Sequence, residues 1–136
     1  MRALALTLPA LALAAGAAAA PAPVTGHWLT EGGKAVVEIA PCGQQLCGRI
    51  VRIVKPTPGR PQTDVQNPDA SLRNRPLVGT NILSGFTPGS DRWKGRIYDP
   101  ESGKTYRSEL IGGGNSLQVK GCIAFFCQTQ NWTRAR

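Results

Sequence analysis

The chain has 136 residues, with 16 Lys and Arg against 8 Asp and Glu, a net charge of +8. That is length for one domain, not two. The basic excess favours contact with anionic surfaces, but no Lys/Arg cluster is interleaved with aromatics, which argues against nucleic acid as a partner.

The first residues are not part of the domain. Met1-Arg2 is a short positive start, Ala3 to Ala15 is an apolar Ala/Leu run, and Gly16 to Ala20 offers small residues for cleavage. This pattern predicts a secretory signal peptide over 1–20, removed from the mature protein. The apolar run is shorter than the ~20 residues a membrane span needs. No cysteine stands directly after it, so no lipid anchor is expected. Pro21 and Pro23 crowd the cut. The mature domain, 21–136, is then periplasmic or secreted; it loses Arg2 and no acid, so its net charge falls to +7.

Gly26 to Thr30 reads as a first strand, and Glu31-Gly32-Gly33 as the turn after it. Residues 34–41 form a second strand with Ala35, Val37 and Ile39 on one face and Lys34 and Glu38 on the other. The stretch Cys42 to Cys47 turns the chain into a third strand, 48–55. There Ile50 and Val54 oppose Val51 and Ile53, which predicts a bulge or burial on both faces.

Residues 56–80 break the rhythm with prolines, Asp and Asn. A loop that long in a compact domain is functional or disordered. Pairing of Asp64, Asn67 and Asp69 with Arg73 and Arg75 would order it as a lid, with a helical turn near 68–73. A fourth strand, 81–86, and a turn, 87–90, follow.

From Arg92 to Arg134 the chain is a meander of strands and tight turns. Trp93, Gly95 and Ile97 alternate with Arg92, Lys94 and Arg96, placing the apolar face inward. Asp99 to Gly103 is a turn; Tyr106, Ser108 and Leu110 share the next inner face. Gly112 to Asn115 turns again, then Leu117 and Val119 alternate with Gln118 and Lys120. On the last strand Phe126, Gln128, Gln130, Trp132 and Arg134 share one face. About eight antiparallel strands joined by tight turns predict an all-β, up-and-down barrel with one long Pro-rich loop. Its interior is either filled by side chains or able to hold one small ligand.

Four cysteines in an exported chain imply two disulfides. Four residues separate Cys42 from Cys47 and Cys122 from Cys127, so local pairs, Cys42–Cys47 and Cys122–Cys127, are expected at hairpin ends. The x4 spacing argues against zinc, and the absence of C-x-x-C against a redox dithiol.

Gly26-x-Trp28 on the first strand and Trp132-x-Arg134 on the last resemble the lipocalin-type closure, in which an early Trp plugs one barrel end and a late Arg lies across it. The contact would be cation–π. In order, residues 26–51, 64–80, 93–106 and 127–134 resemble the bacterial domain-of-unknown-function 2147 family across essentially the whole mature chain. That resemblance implies an exported, single-domain, lipocalin-like barrel and no assigned activity. Asp64, Asn67, Pro68, Arg73, Arg75, Pro76 and Gly79 match the family's loop motif.

Other motifs dissolve into turn chemistry. Gly103-Lys104-Thr105 lacks the upstream Gly of a P-loop, since position 98 is Tyr. His27, the sole histidine, neighbours the plug Trp. Asp99 and Glu101 flank a Pro in a turn. Asn131-Trp132-Thr133 is a glycosylation sequon inside a strand. No matched nucleophile, base and orienter appear, so neither an enzyme nor a cofactor is expected.

The inner polar face is different. Tyr106, Ser108, Gln128 and Gln130, with Trp28 and Trp132, would line a site for a small apolar or amphipathic ligand, because buried polar groups need partners. The alternative is a filled, monomeric barrel whose basic surface docks an anionic envelope polymer.

Overall fold

The computed structural model describes residues 1, 3–13 and 20–136. Arg2 and most of the small residues before the expected cleavage site lie outside the described residues. Residues 3–13 are exposed and without regular structure. Among the described residues no helix is long and apolar enough to cross a membrane.

Eight strands close into one barrel in chain order, every neighbouring pair antiparallel. They are β1 (Gly26–Leu29), β2 (Ala35–Cys42), β3 (Gln45–Ile53), β4 (Asn81–Pro88), β5 (Trp93–Asp99), β6 (Lys104–Gly113), β7 (Ser116–Ile123) and β8 (Phe126–Arg134). The only helical pieces in these residues are 3-10 turns at Glu31–Gly33 and Ala70–Leu72. β1 closes on β8 with Trp28 opposite Arg134 and Leu29 opposite Thr133. The expected up-and-down barrel is the fold.

Period-2 alternation fills the interior. Trp28, Val37, Ile39, Leu83, Phe86, Leu110, Leu117 and Trp132 form the buried core. The bulge on β3 is present. Val36 pairs with Arg52 and Val37 with Ile50, leaving Val51 as the extra residue. Ile50 and Ile53, three apart, therefore both turn toward the core, while Val54 is exposed. The expected faces, Ile50 with Val54 against Val51 with Ile53, are corrected by this insertion.

Two boundaries also move. β2 and β3 run through both cysteines to a two-residue turn at 43–44, so the Cys42–Cys47 bridge joins paired strands. Cys122–Cys127 does the same at the β7–β8 hairpin, where the two residues are directly opposite. β4 continues to Pro88, which pairs with Trp93 at the strand end, where a missing N–H costs little.

Candidate functional site

The two barrel ends are built differently. At one end residues 22–25 cross the opening. Val24 and Trp28 are fully buried, and the Trp28 indole N–H donates to the Val24 carbonyl at 2.9 Å. The Trp93 indole donates to Ala22 at 3.1 Å. Over the outer face of Trp28 lies Arg134, its guanidinium carbon 4.0 Å from the ring centroid. The guanidinium donates to Thr25 O at 2.6 Å and to Gly114 O at 3.3 Å, tying the N-terminal segment to the β6–β7 turn. Gly26 is required beneath it: its φ is +120°, and a Cβ there would meet Arg134 Nη1 at 2.5 Å. This end is sealed.

The other end is open beneath the 54–80 loop. Leu77 N–H donates to Gln62 O, Gly79 N–H to Ile50 O and Ile50 N–H to Thr80 O, which ties the loop to β3. Its hub is Asp64, fully buried. The carboxylate accepts from Tyr98 Oη at 2.6 Å, Asn67 Nδ2 at 2.8 Å, Arg75 Nε at 2.9 Å and Arg75 Nη2 at 2.8 Å. Burial pushes the Asp64 carboxyl up, but hydrogen bonds from Tyr98, Asn67 and Arg75 outweigh it and hold it below the usual carboxylate range. Burial, then the bond to Asp64, pushes the Tyr98 phenol up to about 12.

The expected loop pairing is therefore partly corrected. Asp64 pairs with Arg75, as expected. Arg73 instead donates through Nε to the Asn67 carbonyl at 2.7 Å. Asp69 caps the 3-10 turn, accepting from Ser71 N–H and Oγ–H. Nothing in the sequence links Tyr98 to this cluster: it stands 34 residues from Asp64, on β5, where its partly buried ring packs against the core.

Between loop and barrel is a cavity of about 320 Å³. Ile50, Ile53, Leu77, Ile82, Ile97 and Trp132 give it apolar walls, and charges of both signs, Lys34, Lys55 and Arg60 with Glu31, Asp99 and Glu101, complete the lining. Ile97, Asp99 and Gln130 connect it to a second hollow of about 260 Å³ lined by Tyr106, Val119, Gly121 and Gln128. Gly121 leaves that space open, since a Cβ there would meet nothing closer than 3.8 Å.

The structure divides the expected site residues. Tyr106, Gln128, Gln130 and Trp132 do line the hollows, and Gln130 accepts from the Trp132 indole at 3.0 Å. Trp28 does not; it belongs to the sealed end. Ser108 lies behind the lining, opposite Gly95 and Gly121, its hydroxyl buried with no partner. Asp64, Asn67, Arg73 and Arg75 support the loop from behind, and the loop's contribution to the wall comes from Pro56, Thr57, Pro61, Val65 and Leu77. These wall residues carry no pattern in the sequence. His27 sits on the outer face, 3.1 Å from Glu38.

A family model described as an uncharacterized protein conserved in bacteria (DUF2147) matches residues 26–134. The chain belongs to that family. The matched span starts at Gly26 and ends at Arg134, the two residues that meet at the seal of this DUF2147 barrel. No curated protein matches the chain. A solved structure, protein HP1028 from the human pathogen Helicobacter pylori, described as belonging to the lipocalin family, superposes with a TM-score of 0.72. It is 22% identical, over 84% of this chain and 84% of that one. At that identity the likeness shows a lipocalin-like fold.

Proposed function

We propose that this protein is exported by an N-terminal signal peptide, residues 1–20, and acts outside the cytoplasm as a monomeric carrier. Its ligand is small and apolar or amphipathic, and it enters by the open end. The observation that supports this reading is the cavity of about 320 Å³, apolar in its walls, open at one end of a barrel whose other end is sealed. Ligand sites are concave and mostly apolar, with a few convergent polar groups. Here Tyr106, Gln128 and Gln130 supply those groups beside Trp132 and Ile97. An apolar chain would occupy the hollow between Ile50, Ile53 and Trp132, with a polar group held near Gln128 and Gln130. The 54–80 loop, locked by Asp64, would set how the ligand enters.

The test is native mass spectrometry of the protein from its own periplasm, against a delipidated control. A removable extra mass is expected, and Gly121→Leu, which fills the second hollow without disturbing a positive-φ glycine, should reduce its occupancy at least about tenfold. A clean apo mass that no added lipid changes would end the carrier reading. The basic surface docking an anionic polymer would then be the reading to pursue.

A further inference from the structure

At the open end the β7–β8 hairpin projects an apolar tip. Phe125 at the turn is 104% exposed, Phe126 67% and Ile123 64%. Scattered exposed apolar residues are ordinary, but a contiguous cluster on one projection marks a contact surface. The tip is also held out by its own covalent and backbone structure. Cys122 and Cys127 are bonded directly below it, and Ala124 adopts a φ of +51°, the one non-glycine positive φ among the described residues. A left-handed alanine is a conformation most sequences would give to Gly or Asn.

The surroundings of the tip are cationic. Arg107 donates through Nη2 to the Ala124 carbonyl at 2.9 Å, so its guanidinium sits at the base of the projection. Directly across the sheet from Arg107 is Arg96, and both are exposed. Like charges directly opposite on a sheet repel. Among the ion pairs of the described residues none includes Arg96, Arg107 or Lys104. Two exposed arginines paired across the sheet, neither in an ion pair among the described residues, are suited to anionic groups supplied from outside.

We propose that this tip is a membrane-docking element: Phe125, Phe126 and Ile123 enter the interfacial zone of an anionic bilayer while Arg107 and Arg96 meet lipid phosphates. Charge complementarity selects this occupant, since an apolar tip flanked on its β6 side by arginines outside any ion pair of the described residues matches a surface that is anionic outside and apolar beneath. Continuity with the cavity favours it further. Ile123 and Phe126 also line the second hollow, so the same side chains would touch both the acyl region and the cavity. The docking surface stands on its own observations and holds whether or not the cavity carries a ligand.

The experiment is co-sedimentation of the disulfide-intact chain from residue 21, which contains every strand and the N-terminal plug. It is mixed with phosphatidylethanolamine–phosphatidylglycerol vesicles or with phosphatidylcholine vesicles. Binding to the anionic vesicles that weakens with salt is expected. Phe125→Ser with Phe126→Ser should lower partitioning at least about tenfold. Arg96→Gln, which leaves the Arg107–Ala124 bond intact, should lower it about fivefold at low salt and flatten the salt dependence. Phe125→Ser alone, at an exposed turn, serves if the double variant misfolds. Equal binding to both vesicle types, or undiminished binding by the Phe125 variants, would overturn the proposal. So would self-association without vesicles that the same substitutions abolish, since the tip would then join two copies of the chain.

Discussion

The sealed and open ends solve one problem, an exposed barrel mouth, with opposite chemistry. At the sealed end, two aromatic rings and Val24 exclude water, and a single arginine closes the lid of that core over Trp28. The polar bonds there run mostly from side-chain N–H groups to backbone carbonyls of neighbouring segments. At the open end, the long loop is ordered around a buried carboxylate with three side-chain donors. Apolar packing fills space and leaves none; a polar hub braces a loop from behind and leaves the space in front of it free. The cavity lies at the end braced by charge.

If that contrast is right, breaking the seal costs the whole barrel, while breaking the hub costs only the loop. Trp28→Ala should have the largest effect. It removes a fully buried indole, its bond to Val24 and the partner of Arg134. A loss of about 3–5 kcal/mol in urea unfolding is expected. A loss confined to the mouth, with global stability unchanged, would show that the seal is not part of the core.

Arg75→Met should come next, at about 2 kcal/mol, because it leaves Asp64 buried without the two Arg75 contacts while Tyr98 and Asn67 remain. Arg75 is itself partly solvated, which keeps the figure below that of a fully buried pair. Hydrogen exchange should rise at Leu77 and Gly79 and not in β6–β8. Acid should mimic the substitution. The folded carboxyl of Asp64 lies below its unfolded value of 3.8, so its contribution is complete above that pH and is lost as pH falls through the folded value. Loop amides should therefore open selectively below about pH 4. Uniform opening of the barrel over that range would mean that loop and barrel are one cooperative unit.

The same contrast explains how much of the molecule is legible in its sequence. Strand alternation is local, so the barrel, both cysteine pairs and the face shared by Trp132 and Arg134 can be read from periodicity and spacing. The Trp28–Arg134 seal is legible through the resemblance of Gly26-x-Trp28 and Trp132-x-Arg134 to the lipocalin-type closure, and the two residues are indeed paired across β1 and β8. The open end cannot be read that way. One inserted residue at Val51 reverses the face of Ile53, and the loop's wall residues have no period at all. Asp64 and Arg75 could be matched by charge within one loop. Tyr98 could not, because it lies 34 residues away and alternation along β5 sets it opposite Trp93, Gly95 and Ile97, yet its ring packs against the core and its phenol reaches Asp64.

Ser108→Ala should have the smallest effect and the most informative sign. The hydroxyl is fully buried between the glycines of β5 and β7 and has no partner. A buried donor left unsatisfied destabilises the fold, so its removal from ligand-free protein should raise stability by about 1 kcal/mol. The change in volume is one oxygen, too little for a cavity term to reverse that gain. In protein carrying the mass recovered from its own compartment, the gain should shrink or change sign if a ligand group reaches past Tyr106 to the hydroxyl. Urea unfolding of both forms with and without the substitution gives the coupling directly. A gain of equal size in both would leave Ser108 outside the site and place the ligand's polar contacts entirely at Gln128 and Gln130.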